Sequence, residues 1–103
     1  MAFADLAAAA RSAAASRQRT TPLKELRERT RAVPTARDVV SALRAPGRVV
    51  SVIAEVKRAT ATFADLSGVG DVAVLARFYE AGGAACVSVV TEPVRSHGRL
   101  ADL

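Results

Sequence analysis

Arg48-Val49-Val50-Ser51-Val52-Ile53-Ala54-Glu55-Val56-Lys57 is the run on which the fold turns. It is of strand length and rich in β-branched residues. Alternation separates two faces. Val50, Val52, Ala54 and Val56 form a wholly apolar face. Val49, Ser51, Ile53, Glu55 and Lys57 form one that becomes charged only at its C-terminal end. Residues 58–70 read as a loop containing Thr and Gly. Asp71 can then cap a helix over 72–81, with Val72, Leu75, Ala76 and Tyr79 at helical spacing toward a core. Gly82-Gly83 stops that helix. Ala85-Cys86-Val87-Ser88-Val89-Val90 is a second apolar strand, and Thr91-Glu92-Pro93-Val94 opens another loop. Strand, loop, helix, Gly turn, strand is a βαβ unit, which predicts parallel strands joined by a right-handed crossover and an α/β fold. Leu100 to Leu103 reads as the start of a further helix.

Upstream the chain reads as helical. Residues 3–19 favour helix through Ala and Arg, although only Phe3, Leu6 and Ala10 hold the apolar face. Thr20-Thr21-Pro22 reads as a cap with Pro at the first helical position, starting a second helix at about Leu23. Pro34 ends it, and Thr35 is placed to cap a short third helix carrying Val39, Val40 and Leu43. Pro46-Gly47 breaks the chain. The expected division is therefore a helical extension over 1–47 and the βαβ unit over 48–103.

A chain of 103 residues is one domain at most. It is 50% hydrophobic but only 4% aromatic, so Ala, Val and Leu must fill its core. The single cysteine, Cys86, cannot form an intramolecular disulfide and is expected as a small buried thiol in a reducing compartment, the cytoplasm. The Ala-rich start is interrupted by Asp5 and lacks a preceding basic region, so it is not read as a signal peptide. No apolar run approaches the roughly 18 residues of a membrane span, and no membrane partner is expected.

The net charge of +5 is concentrated upstream: residues 1–50 hold ten Lys/Arg against four Asp/Glu, and 51–103 hold five against six. A basic half can suit nucleic acid. However, Lys24, Arg27, Arg29 and Arg31 alternate with Glu25 and Glu28 as on a solvated helix face, and aromatic stacking residues are few. No nucleic-acid partner is expected.

Glu55 and Lys57 are the sharpest candidate for chemistry in the sequence. Two apart on a strand, they leave the same face roughly 7 Å apart along it. The C-terminal end of a parallel strand is the usual active-site position of α/β sheets and barrels. There Lys57 can bind an anion or donate a proton, and Glu55 can orient it or act as a base. A solvated strand end with an incidental ion pair is the alternative from pattern alone.

Val52-Ile53-Ala54-Glu55-Val56-Lys57-Arg58, the block Leu75 to Pro93, and Gly98 with Leu100-Ala101-Asp102-Leu103 resemble, in order and spacing, the start of indole-3-glycerol phosphate synthases. Pro22-Leu23-Lys24-Glu25-Leu26-Arg27 is similar to the extra helices which that family places before its first strand. The resemblance implies a partial TIM (β/α)8 barrel made of N-terminal helices plus a βαβ unit. It implies a lyase of tryptophan biosynthesis that closes a ring on 1-(2-carboxyphenylamino)-1-deoxyribulose 5-phosphate, with loss of carbon dioxide and water and without metal or organic cofactor. It assigns Glu55 and Lys57 as the first-strand catalytic pair. Lys57, Thr60 and Ser96 are its substrate-binding positions, for a phosphorylated small molecule.

This sequence departs from the family pattern in three places. Thr60-Ala61-Thr62-Phe63-Ala64 replaces the usual Ser-Pro-Ser and polar pair, keeping a hydroxyl at Thr60. Ser96 stands where a pocket-lining Phe is usual. His97 stands for Gly or Asn and reads as an exposed loop histidine. The resemblance also implies that the general-acid Lys, a second Glu and the phosphate-binding turns fall beyond residue 103, so the expectation is a truncated piece of the enzyme, inactive alone. A non-catalytic paralogue binding a partner or an anionic ligand is the alternative reading, and the altered loops favour it. Open strand edges are expected to promote self-association.

Overall fold

The computed structural model of the chain describes residues 3–60 and 68–103. They fall into two compact units, 1–36 and 37–103. In the first, helix α1 spans Phe3–Thr20 and α2 spans Leu23–Arg31, and neither buries a residue. The sequence places a Thr cap before α2, but Thr20 faces the other way. Its Oγ1 donates to the Arg17 carbonyl at 2.9 Å and so closes α1. Pro22 stands just before the first helical residue of α2, with no side chain capping it. On α2 Glu25 and Arg29 form an exposed ion pair one turn apart, as the alternating charges predict.

In the second unit the order is α3 (Val39–Leu43), β1 (Ile53–Val56), α4 (Val72–Ala81), β2 (Cys86–Val89) and a 3-10 turn at Leu100–Asp102. Asp38, not Thr35, caps α3. Its carboxylate accepts from the Ser41 backbone N–H at 3.0 Å and from the Ser41 hydroxyl at 2.6 Å, two bonds that a threonine three residues earlier cannot offer. Helix α4 matches its predicted bounds. Asp71 Oδ1 accepts from the N–H groups of Ala73 and Val74, and Gly83, with φ of 95°, takes the left-handed turn after the last residues. Val72 is buried, and Leu75, Ala76 and Tyr79 are half-buried on the same side, while Ala73, Val74, Arg77 and Phe78 are exposed.

β1 and β2 are parallel, with Ile53 opposite Cys86, Ala54 opposite Val87, Glu55 opposite Ser88 and Val56 opposite Val89. Partners in a ladder share a face, so Val87 and Val89 join Ala54 and Val56 on the side covered by α4, while Cys86 and Ser88 join Ile53 and Glu55 on the other. Both strands are shorter than the apolar runs that hold them. Each pairs only where the other is alongside, and single bonds from Ala85 N–H to the Val52 carbonyl and from Val90 N–H to the Val56 carbonyl close the ladder's two ends. Val49 and Val50 lie outside it, exposed. Cys86, expected buried, is half-buried, since among the described residues no strand pairs with the far edge of β2.

Val56 (2% exposed), Ala59 (0%) and Val72 (6%) are the buried apolar residues among those described, and they mark where β1 meets α4. Ile53, on the opposite face, is 55% exposed. Full burial of a Val side chain stabilises by about 1.5–3 kcal/mol. Val56→Ala is therefore expected to destabilise the unit by roughly 1.5 kcal/mol or more once the cavity is counted, and Ile53→Ala by under about 0.5 kcal/mol. Urea unfolding followed by circular dichroism checks this order, and equal losses at the two positions contradict it.

Candidate functional site

Extended backbone puts residues 55 and 57 on one side of the chain, and the side chains meet there. Lys57 Nζ lies 2.9 Å from Glu55 Oε1, with the two side chains 36% and 46% exposed. The parallel register supplies a third member: Ser88 Oγ donates to Glu55 Oε2 at 3.4 Å across the ladder. The Lys57 hydrogen bond lowers the Glu55 pKa below the usual glutamate value against some desolvation, with smaller help from the Lys57 charge and Ser88. A charged, half-open carboxylate–ammonium pair thus stands at the C-terminal end of β1, on the face that α4 leaves bare. The sequence alone does not single out Ser88, because its role depends on register.

Beyond β2 the chain makes a tight loop. The Glu92 carboxylate accepts the backbone N–H groups of Val94, Arg95 and Ser96 at 2.8, 2.9 and 2.9 Å. Burial alone would raise the Glu92 pKa, but these donors outweigh it and hold the group below its ordinary range. Gly98 N–H returns to the Glu92 carbonyl at 2.9 Å. A Cβ on Gly98 would stand 2.0 Å from the Val90 carbonyl oxygen, so only glycine fits without moving the backbone. His97 is exposed, as read from sequence, with a positive φ of 52°. Ser96 is half-buried, its backbone N–H donated to Glu92. Among the described residues no hydrogen bond joins Ser96 to Glu55 or Lys57. Thr60, also half-buried, lies just after the strand end. The altered loop residues Ala61, Thr62, Phe63 and Ala64 lie outside the described residues.

The other strong polar feature lies across the backbone from Lys57. Arg58 Nε and one terminal nitrogen reach the two Asp102 carboxylate oxygens at 2.9 and 2.7 Å. This hydrogen-bonded guanidinium is the main reason the Asp102 pKa falls to about 2. Arg58 and Asp102 are 44 positions apart, and neither stands out as a site residue in the sequence. A cleft of about 590 Å³ beside this pair runs under the N-terminal end of α4, and neither Glu55 nor Lys57 lines it. Among the described residues no group of three or more His, Cys, Asp or Glu is placed to hold a metal, and no helix is long and apolar enough to cross a membrane.

A parallel βαβ unit that ends its first strand in a carboxylate–ammonium pair is the start of an α/β protein of the barrel or doubly wound kind. Sequence comparison narrows this. The profile of indole-3-glycerol phosphate synthase matches residues 4–103. The indole-3-glycerol phosphate synthase of Mycolicibacterium gilvum is 45% identical over 93 residues, covering 90% of this chain and 34% of the relative. That of Streptomyces griseus is 49% identical over 89 residues, covering 86% and 32%. The enzyme of Mycobacterium avium is 46% identical over 93 residues, covering 90% and 34%. The chain belongs to the indole-3-glycerol phosphate synthase family, whose fold is the TIM barrel. It spans about a third of the length of the curated relatives it matches.

Because the Glu55 pKa is lowered, the part of the fold's stability that depends on its charge is complete above the ordinary glutamate range. It is lost only as pH falls through the lowered value. Removing the ammonium in Lys57→Met is expected to raise the Glu55 midpoint toward the ordinary value, read by carboxyl ¹³C titration. An unmoved midpoint contradicts the pairing.

Proposed function

We propose that this chain contributes the first two strands of an indole-3-glycerol phosphate synthase barrel, with residues 1–47 as the helical extension that precedes them. The reaction is ring closure on 1-(2-carboxyphenylamino)-1-deoxyribulose 5-phosphate, releasing carbon dioxide and water, in the cytoplasm and without a metal or organic cofactor. The observation that carries this reading is the 2.9 Å Glu55–Lys57 pair at the C-terminal end of β1, in a chain of that family.

The substrate is an anion at both ends, with a carboxylate on the ring and a phosphate on the sugar chain. Lys57 offers a half-exposed ammonium to such a group. Glu55 keeps that ammonium oriented until substrate competes for it, and Ser88 steadies the carboxylate from the next strand. Ring closure develops negative charge on the sugar's carbonyl oxygen, and a fixed cation near that oxygen lowers the barrier. Thr60 and Ser96, on the loops after the two strands, are the proposed substrate contacts beside it. A hydroxyl at position 96 can donate a hydrogen bond where a phenyl ring would supply only apolar contact.

An eight-stranded barrel takes about 250 residues and grips phosphate after its seventh and eighth strands. The 103 residues alone are therefore expected to give no turnover above a buffer blank. Grafted in place of the matching third of the Streptomyces griseus relative, they are expected to restore closure of the substrate to indole-3-glycerol phosphate. Lys57→Ala should then lower kcat/KM about 100-fold or more, the range for removing a group that stabilises charge in the transition state. A folded chimera whose activity Lys57→Ala leaves unchanged rejects the assignment.

We also infer that the isolated chain self-associates. Each strand has an unpaired edge among the described residues, and Ile53 and Val52 are exposed beside them. Two buried valines contribute only about 3–6 kcal/mol, little beside the entropy of ordering the unit. Sedimentation velocity is expected to show mass rising with concentration, and a monomer at all concentrations with a sharp unfolding transition overturns this.

A further inference from the structure

The ladder's last bond is Val90 N–H to the Val56 carbonyl, at 3.0 Å. Lys57 is thus the first residue after β1 and beyond the pairing, and its own ion pair with Glu55 is half exposed. Exposed pairs of this kind hold weakly, since solvent competes for both partners. Something else must keep the backbone at Lys57 in place. The next residue is built to do so. Alternation sends Arg58 to the opposite side, where its side chain is 20% exposed and that of Asp102 is 7% exposed. Two parallel bonds to the carboxylate and a third from Arg58 to the Val69 carbonyl, at 3.0 Å, use all three guanidinium nitrogens. Such fork-to-carboxylate contact fixes orientation as well as distance. Asp102 is itself held, by the Arg99 backbone N–H at 3.2 Å. Three segments converge on Arg58: the end of β1, the approach to α4, and the 3-10 turn after β2.

We propose that Arg58 and Asp102 are positioning residues for Lys57. Their ion pair clamps the chain directly after β1 and thereby keeps the Lys57 ammonium against Glu55, at the mouth of the strand. The importance of this for catalysis rests on the role proposed for Lys57, but the clamp itself is a statement about geometry and can be tested without turnover. Arg58 touches no reacting group in this arrangement. It acts through the residue before it.

The chain has two lysines, Lys24 and Lys57. Reductive methylation of the full chain with ¹³C-formaldehyde labels both, and Lys24→Arg assigns the signals. Lys57 is expected to give a signal distinct from Lys24 that moves on Glu55→Gln, the reference for a broken pair. Asp102→Asn, which keeps the size of the side chain, and Arg58→Gln are each expected to move the Lys57 signal to that same reference position. Helical circular dichroism should stay as in the parent. A Lys57 signal unchanged in both variants overturns the proposal. So does a parent whose two lysine signals coincide, because nothing then holds Lys57. Loss of the helical signal in both variants overturns it too, since the pair would then hold the whole unit together and not one side chain. Lys57→Ala in the barrel chimera separates the two ideas: full activity there removes the catalytic role and leaves the clamp to the methyl signals.

Discussion

Four residues of β1 pair with four of β2 in one parallel register, and the second unit is organised around that match. A shift of one residue would exchange every side chain between faces. Val56 would leave the cover of α4, and Glu55 and Lys57 would both enter it as charged groups, whose desolvation costs several kcal/mol. The register observed avoids both. It gives α4 the apolar side with Ala54, Val56, Val87 and Val89, and leaves Glu55 and Ser88 together on the bare side. The helix between the strands supports the match from outside, packing on both of them with Val72 buried. Packing and polar placement therefore select the same alignment.

Much of this is legible in the residues because it is local. Period-two alternation separates Val56 from Glu55 and Lys57, and the spacing of Val72, Leu75, Ala76 and Tyr79 gives α4 its inward side. Asp71 and Gly82-Gly83 mark the ends of that helix. The errors lie where local signals compete or a distant partner decides. Val49 and Val50 have strand propensity, but a strand extends only as far as its neighbour. Thr35 and Asp38 can both cap, and the carboxylate with Ser41 three residues on makes the better pair. Cys86 looks buried because its run is apolar, while exposure depends on whether another strand lies beside β2.

The candidate site divides the same way. Glu55 and Lys57 are two residues apart, so elementary strand geometry brings them together. Ser88 reaches Glu55 only through the register, and Arg58 reaches Asp102 across 44 positions. Lys57-Arg58 carries two positive charges in succession, and composition cannot say that one is half open while the other is locked. The Glu92 segment reads in the sequence only as a loop. Its three backbone donors to a single carboxylate need the turn to form first.

The contrast between the two ion pairs matches the roles proposed for them. A cation that meets an anionic substrate must be exposed enough to exchange partners, and the Glu55–Lys57 pair is half open. A group that sets backbone position must not exchange, and the Arg58–Asp102 pair is shielded and two-pronged, with the Asp102 pKa lowered to about 2 chiefly by the Arg58 hydrogen bonds. A carboxylate lowered from 3.8 to about 2 contributes its full stability above its ordinary value and loses it as pH falls through about 2. One strand end supplies both behaviours because consecutive residues leave a strand on opposite sides. Residue 57 goes to the bare face and residue 58 to the sheltered one. The two roles proposed for the Lys-Arg dipeptide, a first cation held loosely toward a ligand and a second held fast, rest on that split.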